Sequence, residues 1–317
     1  MTKGAQSAKN VDRPCAANRE PGAPVTERLG RLMAKRKPSG RKARPQVKTP
    51  SRAPRGPNRP KPAPDRAPGG RYWLYGWHAA RAALANAERT VLRALATPEA
   101  GRRLDGPAGD GLDRREVPLE TASRNELDAL LPPGAVHQGL ALEVLPLTPP
   151  ALADWLDRAG LDDPAAGRPV LVALDQVSDP HNVGAVLRSA AAFGALAVLA
   201  PRHGQAPESG VLAKAASGAL DVLPYLDAGN LARSLGGLKK RGFWILGLAG
   251  EAEQELAAAD PGGPLVLVLG GEGKGLRRLT REACDLTARL PTRPPIDQLN
   301  VSNAAAVALY ELLGRGP

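Results

Sequence analysis

Three short segments of this chain gather polar side chains where an apolar run gives way to a helix-like one. The first is QVSDPHNVGAVLRSAAAFGA, from Gln176. Asp179 and Pro180 form a turn there, Asn182 can cap the following helix, Gly184 lets a ligand approach the backbone, and Arg188 follows a turn and a half further on. The second is Gly270-Gly271-Glu272-Gly273-Lys274-Gly275-Leu276, a turn of minimal side chains interrupted by one carboxylate. Its Gly-Lys pair is followed by Gly275 instead of Ser or Thr, and no GxGxxG precedes an acid about 20 residues on, so triphosphate and dinucleotide readings are weak. The third, Ile296-Asp297-Gln298-Leu299-Asn300-Val301-Ser302-Asn303, leads into an alanine-rich helix. Each segment also has a plain structural reading. These are a capped helix with a solvated Arg188, a Glu272 that caps the next helix or pairs with Arg277 or Arg278, and an N-cap with a spare amide.

The elements that must position these groups follow a regular pattern. From Pro169 the apolar runs VLVALD, ALAVLAP, FWILGLAG, PLVLVLGG and ARLP alternate with helix-like segments at 183–193, 208–219, 230–240, 276–285 and 301–313. Such alternation predicts an α/β fold with a parallel sheet covered by helices on both faces. Chemistry in such sheets collects beyond the carboxyl ends of the strands, here after Leu174, Leu246, Leu269 and Leu290. Upstream, residues 72–77 hold four of the ten aromatic residues and open a smaller α/β unit, 71–148. Its expected pieces are a helix from His78 to Ala87 and strands at Val91–Ala96 and Leu140–Leu145. Residues 149–167, with proline at both ends of the stretch, read as a linker, and 168–317 as the second domain.

Charge divides the chain differently. Residues 1–70 hold 18 basic and four acidic residues, a net +14, which leaves 25 and 28, a net −3, for residues 71–317. The first 70 residues also contain 12 of the 32 prolines and no aromatic residue. A segment of that composition cannot bury enough apolar surface to offset its ordering entropy, which predicts a disordered basic tail. No run of about 18 apolar residues is present to span a bilayer. The N-terminal MTKGAQSAKNVDRPC resembles neither a secretory signal nor a mitochondrial presequence, which predicts a cytoplasmic protein without a membrane partner. Cys15 and Cys284 are far apart, and they and the four histidines lack metal-ligand spacing, so neither a disulfide scaffold nor a metal site is expected.

Taken in order, DPHNVGAVLRSA, LVLGGEGKGL and LNVSNAAAVALYE resemble the three motifs of the SpoU (TrmH-like) branch of the SPOUT RNA methyltransferases. The likeness covers 168–317 closely and extends to YGWHAARAAL and HQGLAL, which resemble the edges of that family's RNA-substrate domain. LAGEA and LTREACD make the chain most similar to the 23S rRNA guanosine 2'-O-methyltransferases within it. The resemblance implies a deep trefoil knot, against the general rule that chains do not thread loops. It also implies S-adenosyl-L-methionine as cofactor, a homodimer packed through the knot domain, and RNA, 23S rRNA foremost, as partner. Carried over by motif, cofactor contacts fall on Leu248, Gly250, Gly270, Leu290 and Leu299, and the reaction centre on Asn182, Arg188, Glu272 and Asn300.

The implied reaction moves a methyl group from S-adenosylmethionine to a ribose 2'-hydroxyl of a guanosine. The donor is already activated, so the protein must mainly align the reactants and help remove a proton from a poor acid. An arginine is an awkward base because it keeps its proton. Arg188 is therefore read as orienting the hydroxyl and stabilising alkoxide charge, with Glu272 and Asn182 fixing the arginine and the ribose and Asn300 completing the pocket floor. One departure stands out. The family's third motif usually reads Ser-Leu-Asn, whereas here Gln298 replaces the serine and Leu299 and Asn300 are retained. Two alternatives stand beside the 23S rRNA reading: a tRNA ribose 2'-O-methyltransferase, and a catalytically impaired RNA-binding ribosome-assembly factor, which Gln298 keeps open.

Overall fold

The computed structural model describes residues 70–106, 117–161 and 168–314. The tail expectation, apart from Gly70, falls outside these residues. Among them a four-stranded sheet lies within residues 72–144, in the order β1-β4-β2-β3. Its strands are β1 (Tyr72–Tyr75), β2 (Val91–Ala96), β3 (Leu119–Thr121) and β4 (Leu140–Val144). β4 pairs antiparallel with both β1 and β2, and β3 adds parallel to β2. The helices are α1 (Trp77–Ala85), α2 (Pro98–Asp105) and α3 (Arg124–Leu130). Thr97 caps α2 ahead of Pro98, and Ser123 with Glu126 forms a capping box on α3.

The second sheet has seven strands in the order β7-β6-β5-β10-β8-β11-β9, all paired parallel. They are β5 (Val170–Asp175), β6 (Ala197–Ala200), β7 (Tyr225–Asp227), β8 (Trp244–Leu248), β9 (Gln254–Glu255), β10 (Leu265–Gly270) and β11 (Leu286–Arg289). The connecting helices are α4 (Leu152–Leu156), α5 (Pro180–Ala192), α6 (Gly210–Ala216), α7 (Leu231–Lys240), α8 (Leu256–Ala259), α9 (Arg278–Glu282) and α10 (Val301–Leu309). The parallel sheet with helices on both faces is as expected. Val170, Val172 and Leu174 join a core with Val183, Leu187 and Leu309, while Leu171 and Ala173 join another with Leu231, Leu235 and Leu238. Burial on both faces is why these strands read as unbroken apolar runs, each large side chain contributing about 1.5–3 kcal/mol.

Two local expectations are corrected. Asn182 does not cap α5; Asp179 does, accepting from the His181 amide at 3.3 Å, and Pro180 opens the helix. Gly184 does not open the backbone to a ligand. A Cβ there would meet Leu212 O and Ala215 Cβ at 2.6 Å and Ala216 N at 2.9 Å, so it is the point where α5 packs on α6. Among the described residues no helix is long and apolar enough to cross a membrane.

Candidate active site

The site is built at the carboxyl ends of β5, β10, β8 and β11. Asp175, the last residue of β5, is fully buried and welds the glycine turn to that strand. Its carboxylate accepts from the Arg277 amide at 2.8 Å and from Arg277 Nε at 2.6 Å, and its carbonyl accepts from the Gly271 amide at 2.9 Å. Within the turn the Gly275 amide donates to Gly271 O at 3.1 Å. The loop doubles back so tightly that a Cβ on Gly270 would lie 2.2 Å from the Gly275 carbonyl carbon. Glycine is therefore required by close approach, and the turn projects Glu272 away from the strand.

Glu272 Oε1 accepts two hydrogen bonds, from Asn182 Nδ2 at 2.7 Å and from Asn300 Nδ2 at 2.9 Å. Asn182 is 7% exposed in the first turn of α5. Asn300 is the N-cap of α10, and its Oδ1 accepts from the Ser302 amide at 2.8 Å and the Ser302 hydroxyl at 2.6 Å. One carboxylate oxygen thus gathers all three polar segments. The plain readings of Glu272 fail. Arg277 is held by Asp175, and Arg278 pairs with Glu282 at 2.6 Å. Asn300 caps α10 with its Oδ1 and meets Glu272 with its Nδ2, one amide end for each.

Arg188 does not join this cluster. It lies six residues beyond Asn182 on α5, about 9 Å along the axis at 1.5 Å per residue, and is exposed with no hydrogen bond or ion pair among the described residues. The expected fixing of Arg188 by Asn182 and Glu272 is not seen among the described residues: the six-residue step along the helix from Asn182 to Arg188 sets the two apart. Gln298 is likewise exposed and makes no hydrogen bond among the described residues.

Leu248, Gly270 and Leu290 sit at or just past the ends of three adjacent strands, in a row set by the pairing of Leu269 with Leu248 and of Leu248 with Ala288. Leu248 and Leu290 are half-buried, and Leu299, just before the α10 cap, is 43% exposed. Beside Gly250 an added Cβ would meet nothing within 4 Å. Apolar faces around open space, with glycine backbone at two points, suit a flat heteroaromatic group with amide partners, and so fit the adenosyl part of S-adenosylmethionine. Among the described residues no cluster of His, Cys, Asp or Glu could hold a metal ion. Asp175 is the residue that sequence reasoning missed. Its signal was there, a single acid ending a strand that is otherwise all aliphatic.

With this geometry in view, two family models match the chain. The SpoU rRNA methylase family covers residues 169–310, and the model for the RNA 2'-O ribose methyltransferase substrate-binding region covers 73–150. The 23S rRNA (guanosine-2'-O-)-methyltransferase RlmB of Pseudomonas putida is 42% identical over 239 residues, 75% of this chain and 94% of its own length. The chain belongs to the SpoU rRNA methylase family. RlmB of Xylella fastidiosa strain Temecula1 is 41% identical over 241 residues, again 94% of that protein. The SpoU fold recurs in AviRb from Streptomyces viridochromogenes, solved with AdoMet, at 22% identity and a TM-score of 0.61, covering 78% of this chain and 90% of that one. An RNA 2'-O ribose methyltransferase crystal structure gives 26% identity and a TM-score of 0.56, covering 78% and 89%. The three loops that meet at Glu272 all lie within the residues 169–310 that the SpoU rRNA methylase family covers.

Proposed function

We propose that this chain transfers a methyl group from S-adenosyl-L-methionine to the ribose 2'-hydroxyl of a guanosine in 23S rRNA. The observation that carries the proposal is the convergence of Asn182 and Asn300 on one oxygen of Glu272, a preorganised polar centre beside an apolar shelf at the strand ends. Leu248, Gly250, Gly270, Leu290 and Leu299 would hold the cofactor, which supplies an activated methyl group on a sulfonium. Asn182, Arg188, Glu272 and Asn300 are assigned to the reaction centre. Glu272 Oε2 makes no hydrogen bond among the described residues and is available to accept from a ribose hydroxyl. Arg188, exposed and unpaired there, is available to orient the hydroxyl and stabilise negative charge as the proton leaves. The two amides keep Glu272 in one rotamer, so alignment is not purchased again at each turnover.

The reading extends to residues 71–148 as the RNA-substrate domain and to 149–167 as its linker, and it carries with it a cytoplasmic location and the knotted threading of the family. It also includes a homodimer packed through the domain 168–317. Val307 and Tyr310, 48% and 52% exposed on and just after α10, are apolar surface that a second copy would cover. The test is incubation with labelled S-adenosylmethionine and, separately, unmodified 23S rRNA and tRNA. Label in 23S rRNA at a guanosine ribose is expected. Label confined to tRNA would overturn the substrate, and RNA bound without label would overturn the activity.

A further inference from the structure

The two sheets meet across a seam held by a buried ion cluster. Arg89, between α1 and β2, has a side chain with no exposed surface. Its Nε donates to Asp221 Oδ1 at 2.7 Å, and its Nη1 donates to Glu208, to Leu145 O at 3.1 Å and to Tyr72 OH at 3.3 Å. Glu208 also accepts from the Tyr72 hydroxyl at 2.6 Å and the Leu147 amide at 3.1 Å. Asn86 Nδ2 donates to Asp221 Oδ1 at 3.2 Å. One cation thus ties β1 and the residue just past β4 to two acids of the methyltransferase domain.

Around this cluster the fit is close. A Cβ on Gly210 would lie 2.3 Å from Trp73 O, and Lys214 Nζ donates to Gln138 Oε1 at 3.1 Å, the oxygen that also accepts from the Trp77 amide at 3.1 Å. Apolar residues of both domains form one continuous core, Trp77, Ala79 and Ala83 from one side and Leu212, Ala213 and Ala216 from the other. Apolar contact supplies adhesion but tolerates sliding. A buried charge does not, because any other arrangement leaves it unpaired. Among the described residues Arg89 Nη2 has no partner, so the cluster is not arranged for maximal stability, which leaves orientation as its evident gain. The loop that carries Glu208 also reaches the site: Gln176 Nε2 donates to His203 O at 3.0 Å, and a Cβ on Gly271 would lie 2.6 Å from Gln176 O.

We propose that Arg89, with Glu208 and Asp221, is a positioning residue that fixes the substrate domain at one orientation. The distance from RNA contacts on that domain to the Glu272 centre then selects the ribose that is methylated. The proposal rests on the 23S rRNA reading above. Its test uses the full chain with Arg89→Ala, Arg89→Lys and Glu208→Gln, the last guarding against failure of Arg89→Ala to fold. Small-angle scattering should report an altered profile, from a changed domain orientation, for Arg89→Ala and Glu208→Gln. Their kcat/KM on 23S rRNA should fall at least tenfold, with methylation spreading to neighbouring riboses and S-adenosylmethionine affinity changing less than twofold. Arg89→Lys, which keeps the charge, should recover part of both. Unchanged scattering in both neutralising variants overturns the proposal. So do reoriented domains that still methylate one ribose at the original rate. A wild-type chain that leaves 23S rRNA unlabelled defeats the substrate reading alone, and scattering then decides the docking.

Discussion

Glu272 shows how one atom can organise a site. Two amide donors on one carboxylate oxygen hold three loops in register, so Glu272→Ala should release both asparagines at once. A loss of about 10²-fold in kcat is expected from such misplacement, with cofactor affinity nearly unchanged in calorimetry. Because the three side chains share one oxygen, Asn182→Ala should add little further loss in the Glu272→Ala background. If the two losses multiply instead, the three do not act as a unit. Arg188 is the opposite case, exposed and without a partner among the described residues. Arg188→Ala should abolish transfer while unfolding stability in urea shifts by less than about 0.5 kcal/mol, as for an ordinary surface change. Loss of cofactor binding in that variant would move Arg188 to the cofactor side of the site. Cys284 is chemically quiet for a stated reason: burial pushes its thiol up to about 11, with Lys239 pulling the other way, so it stays protonated at neutral pH. Peptide mass spectrometry should find iodoacetamide on Cys284 at pH 7.5 only after denaturation.

At the scale of elements, packing overrides local preference at Gly184. Alanine is the better helix former by about 0.8–1 kcal/mol, but its Cβ would press on α6 backbone atoms at 2.6 and 2.9 Å that cannot rotate away. Overpacking costs about 1–3 kcal/mol, so Gly184→Ala should lower the urea midpoint, and a raised midpoint would mean that α5 and α6 separate easily. The same balance explains what was legible beforehand. The long strands of the parallel sheet are apolar on both faces and announced themselves, with VLVALD matching β5 residue for residue. β3 and β7, three residues each, are too short for any periodicity to register. α2 and α3 had start signals in Thr97-Pro98 and in the Ser123–Glu126 capping box, which the composition of the neighbouring glycine-rich stretch obscured. At the site, Asn182, Glu272 and Asn300 could be named from motifs because each sits at a strand-to-helix junction. Their meeting on one oxygen could not, since it depends on how Asp175 pins the glycine turn.

At the scale of the whole molecule, charge and chemistry are carried by different parts of the chain. Residues 71–317 hold the site and a net charge of −3, and the first 70 residues hold +14. A body with that balance has little general attraction for a phosphate backbone, so nonspecific affinity for RNA is expected to fall to the first 70 residues. Such attraction comes from counterion release and carries no base information. Removing residues 1–70 should therefore weaken binding to 23S rRNA strongly at about 50 mM salt and far less at about 200 mM, and should flatten the slope of log affinity against log salt. At saturating RNA the rate should be unchanged, because Asn182, Glu272 and Asn300 and the Arg89 clamp all lie in the retained part. Equal affinity with and without the tail at low salt would refute the division. A fall in rate at saturation would put part of the tail in the site itself, and the tail would then act in catalysis as well as in local concentration.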